Sequence, residues 1–263
     1  MPLILRTGLV GMLSVLLAFS LFTPTIVSAE ALTLPVAINK AGRQRMLTQR
    51  MVKAYGQLGM ELQYAKAEKQ LNSAIFLFES QLEELKQFSN HPDIKAGLDK
   101  VESLWTPVKA IVTVPQSRDK VEELRANAEA LLKAAHAVVV MLEELSGTSQ
   151  GKLVNIAGRQ RMLSQRIANL YVLQSWGFEQ EQYLTDYKKA ISEFESALKL
   201  LKSAPENTPD INAALNEVSL QWGVFKISAK LEKGQYIPAL ITRSADKILT
   251  RMNDITGMYA ALP

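Results

Sequence analysis

The chain has 263 residues and 29.2 kDa, and it is 48% hydrophobic and 21% charged; that is enough apolar material for one large core or two ordinary ones and excludes disorder as its main state. The absence of cysteine excludes a disulfide framework, a thiolate metal site and a cysteine nucleophile, and two histidines make a histidine-rich metal cage implausible. A formal charge of +4, from 30 Lys+Arg against 26 Asp+Glu, is too small in itself to point to nucleic acid or a membrane surface.

The amino terminus reads as an export signal. Arg6 is the one charge in residues 1–29, an apolar run extends from Gly8 to Phe22, and Val27-Ser28-Ala29 suits a signal peptidase, so cleavage after Ala29 is expected. The run is about 15 residues, short of the roughly 20 that cross a bilayer. A periplasmic protein is therefore expected, with an uncleaved tether to the inner membrane as the alternative. The chain as read carries no kinase or methyl-accepting region, so any message is expected to leave through a partner.

The next segment is written twice. Ala41-Gly42-Arg43-Gln44-Arg45-Met46-Leu47-Thr48-Gln49-Arg50-Met51 returns as Ala157-Gly158-Arg159-Gln160-Arg161-Met162-Leu163-Ser164-Gln165-Arg166-Ile167, with nine of eleven positions identical at an offset of 116. The same offset relates Phe78-Glu79-Ser80 to Phe194-Glu195-Ser196. The unit as a whole is duplicated, which predicts a signal peptide over 1–29 and two domains over 30–147 and 148–263.

Apolar residues then recur in steps of three and four, the period of packed helices. Leu71, Ile75, Phe78, Leu82 and Leu85 mark a second helix, matched by Tyr187, Ile191, Phe194, Leu198 and Leu201. Ile94, Leu98, Val101, Trp105 and Val108 mark a third, matched by Ile211, Leu215, Val218, Trp222 and Phe225. A fourth, expected to be the longest, runs from Leu124 to Leu145 and again from Ile241 to Leu262. Breaks fall at Asn90-His91-Pro92, Val114-Pro115, Ser146-Gly147, Pro205 to Pro209 and Gly234 to Pro238, and Pro107 predicts a kink or an early end in the third helix. The fold predicted is all-α, two tandem antiparallel four-helix bundles. The short stretch Ser146 to Gly151 suggests that the fourth helix of copy one continues, bent, into the first helix of copy two.

The first helix of each copy departs from core-forming logic. The stripe Leu47, Met51, Ala54, Leu58 would be extended toward the amino end by Gln44 and Lys40, which are polar. Asn39, Arg43, Met46 and Arg50 share one face beside Gly42, and copy two offers Asn155, Arg159, Met162, Arg166 and Gly158. Between Glu30 and Glu61 stand Lys40, Arg43, Arg45, Arg50 and Lys53 with no acid, and between Glu144 and Glu179 stand Lys152, Arg159, Arg161 and Arg166, again with none. These nine cations exceed the net charge of the whole chain, so the positive surplus is concentrated here. Elsewhere the copies have diverged: Val52 to Asn90 shares only 9 of 39 residues with Ala168 to Glu206, so the motif alone was held nearly fixed.

Two explanations follow. The arginines could bridge to acids on neighbouring helices, such as Glu83, Glu84, Glu122 and Glu123, and define how helices dock. Alternatively they capture an anion, since the guanidinium fork suits planar or tetrahedral oxyanions and stays charged when partly buried. Salt bridges alone give no reason for holding glycine, glutamine and asparagine too.

The patterns Ala41-Gly42-x-x-Arg45-Met46-x-x-x-Arg50 and Ala157-Gly158-x-x-Arg161-Met162-x-x-x-Arg166 resemble the amino-terminal domain of type IV pilus chemotaxis transducers, which is similar to the periplasmic domain of nitrate-sensing histidine kinases. The longer form, seen from Asn39 and Asn155, looks more like the pilus-transducer branch. The resemblance implies a periplasmic helical bundle in which the motif helix binds nitrate or nitrite at a two-fold dimer interface. By position, Arg45 and Arg161 would contact the anion, Gly42 and Gly158 would allow backbone approach, and two copies in one chain would make the pair internally. Arg43-Gln44 and Gln49 differ from the nitrate-sensor pattern, so the ligand expected is a small oxyanion of the nitrate or nitrite type and not nitrate in particular.

Other chemistries are demoted. His91 reads as a cap or loop residue and His136 as boundary packing, while Trp105 and Trp222 read as bundle anchors; Trp176 is left open. No phosphate loop, His-Glu-x-x-His, nucleophile elbow or paired carboxylates point to an enzyme, a metal or a cofactor, and export argues against nucleic acid. The sequence therefore supports a non-catalytic ligand-binding protein. Its candidate site comprises Gly42, Arg43, Arg45, Met46, Arg50, Gly158, Arg159, Arg161, Met162 and Arg166, supported by Asn39 and Asn155. A docking module for a periplasmic or membrane signalling protein, with no small ligand, is the alternative, and the sequence leaves a homodimer open.

Overall fold

The computed structural model describes residues 32–88, 90–228 and 235–262; the export signal and its cleavage point lie outside them. Eight α-helices account for nearly all of the described chain: α1 Leu34–Gly59, α2 Tyr64–Phe88, α3 Pro92–Val112, α4 Val121–Ser146, α5 Ser149–Ser175, α6 Glu181–Lys202, α7 Pro209–Ser228 and α8 Pro238–Ala260, with one short 3-10 turn at Arg118–Lys120 before α4. There is no strand among the described residues. Helices α1 to α4 close one ring of neighbours and α5 to α8 close another, giving an all-α pair of four-helix bundles within one compact unit from Leu32 onward.

The duplicated features repeat the same contacts. Phe78 packs on Trp105 with ring centroids 4.5 Å apart, and Phe194 stacks on Trp222 at 4.2 Å. The indole of Trp105 donates to Glu79 at 3.0 Å and that of Trp222 to Glu195 at 3.3 Å, while Lys109 and Lys226 neutralise those two acids. The repeated Phe-Glu-Ser is thus a joint between the second and third helices, and both tryptophans are buried anchors. Pro107 lies inside α3, which runs on to Val112, so the proline does not end it early. His91 occupies the residue before α3 without a side-chain cap bond.

The two bundles meet along α1 and α5, which run parallel. A Cβ at Gly42 would lie 3.9 Å from the Gly158 Cα, one at Gly56 would touch Val172, and one at Gly59 would enter the Trp176 ring. Eighteen residues of α1 and eighteen of α5 are buried, against seven of α2. The motif helices are therefore central, enclosed on most sides, and this is why no narrow apolar stripe marks them. They are also at least as long as α4, at 26 and 27 residues against 26, so the fourth helix is not the longest.

The junction between copies corrects a second expectation. Helix α4 does not continue into α5: Gly147 adopts φ 59, a left-handed cap, and Thr148 caps α5 by accepting from the Gly151 amide at 3.0 Å. Asn155 on α5 bonds back to Glu143 on α4. Twelve residues of continuous helix would separate those groups by roughly 18 Å, so the chain reverses in a hairpin.

Candidate anion site

Arg45 and Arg161 face each other across the crossing of α1 and α5, and both are completely buried. Each is held by the other copy. Arg45 donates to the side chain of Asn155 at 2.8 Å and to its carbonyl at 3.3 Å, and Arg161 donates to the side chain of Asn39 at 2.8 Å and to its carbonyl at 3.0 Å. A residue from each last helix completes the set. His136 Nδ1 lies 3.0 Å from Arg45 and Asn253 Oδ1 lies 3.0 Å from Arg161. Since a guanidinium only donates, His136 accepts through Nδ1, which leaves its proton on Nε2.

Among the described residues no carboxylate forms a salt bridge with either group, and the Nε of each is buried without a partner. Burial lowers the pKa of Arg45, helped by the nearby charge of Arg159 and opposed by Glu143. Arg161 is pushed well below its ordinary value by burial and then by Arg43 and Arg45. Burial also lowers His136, with Arg45 and Arg159 adding to the effect. The centre thus holds two desolvated cations that repel one another with no carboxylate in direct contact; Glu143 acts on Arg45 from behind Asn155, and the remaining imbalance costs stability unless an anion is supplied.

The glycines make the convergence possible. A Cβ on Gly42 would sit 3.3 Å from Nη2 of Arg45 and 3.4 Å from Nη2 of Arg161; one on Gly158 would meet the same two atoms at 3.5 and 3.2 Å. Any side chain at either position would crowd the guanidiniums. The two glutamines have a separate purpose: Gln44 donates to the Phe78 carbonyl at 3.0 Å and Gln160 to the Phe194 carbonyl at 2.8 Å, fixing the second helix of each copy against the first.

The remaining motif cations divide. Arg159 pairs with Glu193 at 2.9 Å, and Arg166 with Glu129 at 2.7 Å and Asp186 at 3.8 Å. Arg43 instead reaches Asn253 at 3.3 Å, and Arg50 forms no salt bridge among the described residues, its Nε buried without a partner. None of Glu83, Glu84, Glu122 and Glu123 bridges to a motif arginine; Glu84 takes Lys40 and Glu123 takes Lys120. Docking salt bridges therefore explain Arg159 and Arg166 but not Arg43, Arg45, Arg50 or Arg161.

Met162 lines a cleft between α4 and α6 on one side of the crossing, together with Arg45, Arg159 and Arg166. Met46 lines its twin between α2 and α8, together with Arg43 and Arg50. Sequence reasoning missed His136 and Asn253 as arginine partners, though their common spacing of 117 from copy to copy was a usable signal. It also missed the pair of buried Lys53 and half-buried Asp246, 2.5 Å apart, with Lys66 at 2.9 Å and Gln70 at 2.8 Å from the same carboxylate. Lys53 is fully enclosed, and desolvation brings its ammonium down to about 8. Burial pushes Asp246 up, but Lys53, Lys66 and Gln70 outweigh it and hold the carboxyl at about 2.

Among the described residues no helix is long and apolar enough to cross a membrane. Neither the curated proteins nor the solved structures compared with this chain include a match. The family described as the type IV pili methyl-accepting chemotaxis transducer N-terminal region matches twice in tandem, over residues 26–135 and 146–246. With most of its length covered by those two matches, the chain belongs to that family of chemotaxis and pilus sensory domains.

Proposed function

We propose that the protein is an exported periplasmic sensor that captures a small oxyanion of the nitrate or nitrite type between Arg45 and Arg161, and passes the bound state to a signalling partner. The observation that carries this reading is the pair of buried guanidiniums that, among the described residues, no carboxylate contacts directly, each with its Nε buried and unpartnered. An anion there would supply the missing charge and the missing acceptors for both Nε groups. At an effective dielectric near 20, unit charges about 4 Å apart interact by roughly 4 kcal/mol, enough for a shared anion to offset the arginines' repulsion. The clefts on either side provide approaches, one lined by Arg45 and the other by Arg43 and Asn253.

Because the pair is built from α1 and α5, occupancy would tighten the contact between the two copies, which is a mechanical output that a docked partner can read. Recognition and relay are binding events, so the reading assigns no catalytic residue and no cofactor.

The test is thermal melting of the purified mature protein with nitrate, nitrite, sulfate and chloride at matched ionic strength. A ligand at 100 times its dissociation constant stabilises the fold by about 2.7 kcal/mol. The expected result is stabilisation by at least one oxyanion, lost in Arg45→Gln and Arg161→Gln. Four coincident curves for the unaltered protein would remove the small-anion reading and leave the docking module.

A further inference from the structure

The clefts flanking the arginine crossing descend from one duplicated surface, so each serves as a reference for the other. Both are sizeable, about 500 Å3 between α4 and α6 and about 460 Å3 between α2 and α8. Their charge has diverged. Six lysine and arginine side chains line the α4–α6 cleft against three carboxylates, whereas its twin has three against two. Where the first cleft has Lys133 on α4, the twin has Thr250 at the equivalent place, and Lys189 on α6 corresponds to Ser73.

The acids of the α4–α6 cleft are already engaged. Glu193 is taken by Arg159, Glu129 by Arg166, and Asp186 by Arg125 and Arg166. Lys133, Lys189 and Arg45 form no salt bridge among the described residues and stand on three different helices around one space. The two lysines are exposed at the rim, Arg45 is buried at the floor, and Leu132, Met162 and Ala190 supply apolar wall between them. At about 30 Å3 per liquid water the cavity has room for roughly 15 waters, far more than a nitrate-sized anion fills. Its size and mixed lining are those of a small-molecule pocket.

We infer that the α4–α6 cleft binds an organic anion with two or more carboxylate groups on a short carbon skeleton, one group held at the floor by Arg45 and another at the rim by Lys133 and Lys189. The apolar wall accommodates the carbon skeleton, and a second charge separates this ligand from a simple inorganic ion. Because Lys133 belongs to copy one and Lys189 to copy two, the ligand fastens the copies together outside the arginine crossing. This site goes beyond the small-oxyanion reading and stands without it, although Arg45 faces both.

Isothermal calorimetry and melting of the full mature chain test the inference with succinate and citrate, using propionate, nitrate and inorganic phosphate as comparisons at matched ionic strength. Succinate or citrate is expected to bind and to raise the melting temperature, and propionate to do neither. Lys133→Ala with Lys189→Ala, both at exposed positions that leave folding intact, is expected to weaken that binding at least tenfold. Thr250→Ala in the twin cleft is expected to leave it unchanged. Absence of succinate and citrate binding, equal binding of propionate, or full retention of binding in the double lysine variant would each overturn the inference. A nitrate response that survives in the lysine variant but vanishes in Arg161→Gln belongs to the crossing, so either site can fail while the other stands.

Discussion

The charged groups at the crossing are unusual in their poverty of partners. Most buried arginines are accompanied by a carboxylate, because removing a guanidinium from water without one is costly, yet Arg45 and Arg161 are held only by amide oxygens, carbonyls and an imidazole. Gly42 and Gly158 are what permit this approach. Gly42→Ala is therefore expected to shift the guanidinium ends by about a few tenths of an ångström and to weaken any oxyanion response; urea unfolding with and without nitrate checks that loss of response. Asp246 belongs to the same scale. Its carboxyl is held below its unfolded value, so its contribution is present above about pH 3.8 and is lost as the pH falls toward about 2. Lys53 works the other way: its folded value of about 8 lies below the ordinary 10.5, so the unfolded chain holds the extra proton between those limits and stability rises with pH there. Denaturant midpoints measured across both windows check the two signs. In Asp246→Asn, Lys53 remains buried without its counter-charge, with an expected loss of about 3–5 kcal/mol.

At the scale of helices, glutamine explains why the apolar stripe of α1 breaks. Gln44 and Gln160 each close a bond onto the carbonyl of the phenylalanine that anchors the second helix, so each is a polar residue inside a core with a defined task. Gln44→Ala is expected to remove the bond between α1 and α2 while the Phe78 carbonyl keeps its helical partner, costing about 0.5–1.5 kcal/mol, and Gln160→Ala to cost a similar amount, both read by thermal melting. These glutamines also show how far the sequence could be read. The helices were legible because their outer members have one buried stripe each, and the period of three and four finds such stripes directly. The motif helices, enclosed on most sides, have no single stripe, and their identity came from duplication instead. The turn between α4 and α5 was misjudged because a short connection alone does not say whether a chain bends or reverses. Gly147, in the left-handed conformation after α4, was the residue that decided it. The arginine partners His136 and Asn253 were hidden because each lies about 90 residues from the group it serves, and periodicity carries no information about such pairings.

For the molecule as a whole, the seam between α1 and α5 sets how the halves depend on one another. Each motif helix buries residues on the side facing the other, so a fragment covering residues 30–147 would expose the Gly42 face and a lone Arg45. That fragment is expected to associate through α1 into a symmetric dimer that places two Arg45 side chains opposite each other, or else to fold poorly. Sedimentation of the fragment beside the intact chain checks this, a stable, well-folded monomer being the contrary result. Family membership and the repeated match agree with such an origin, since a unit that pairs with itself can be joined to its own copy without redesigning the interface.

The hairpin at Gly147 completes that joining. In a sensor assembled from separate subunits, the paired arginines exist only while the subunits remain together, and dilution dismantles the receptor along with its signal. Here a two-residue link keeps the pair at a high effective concentration however scarce the protein becomes. Anion titrations of the intact chain at protein concentrations a hundredfold apart should therefore share one midpoint.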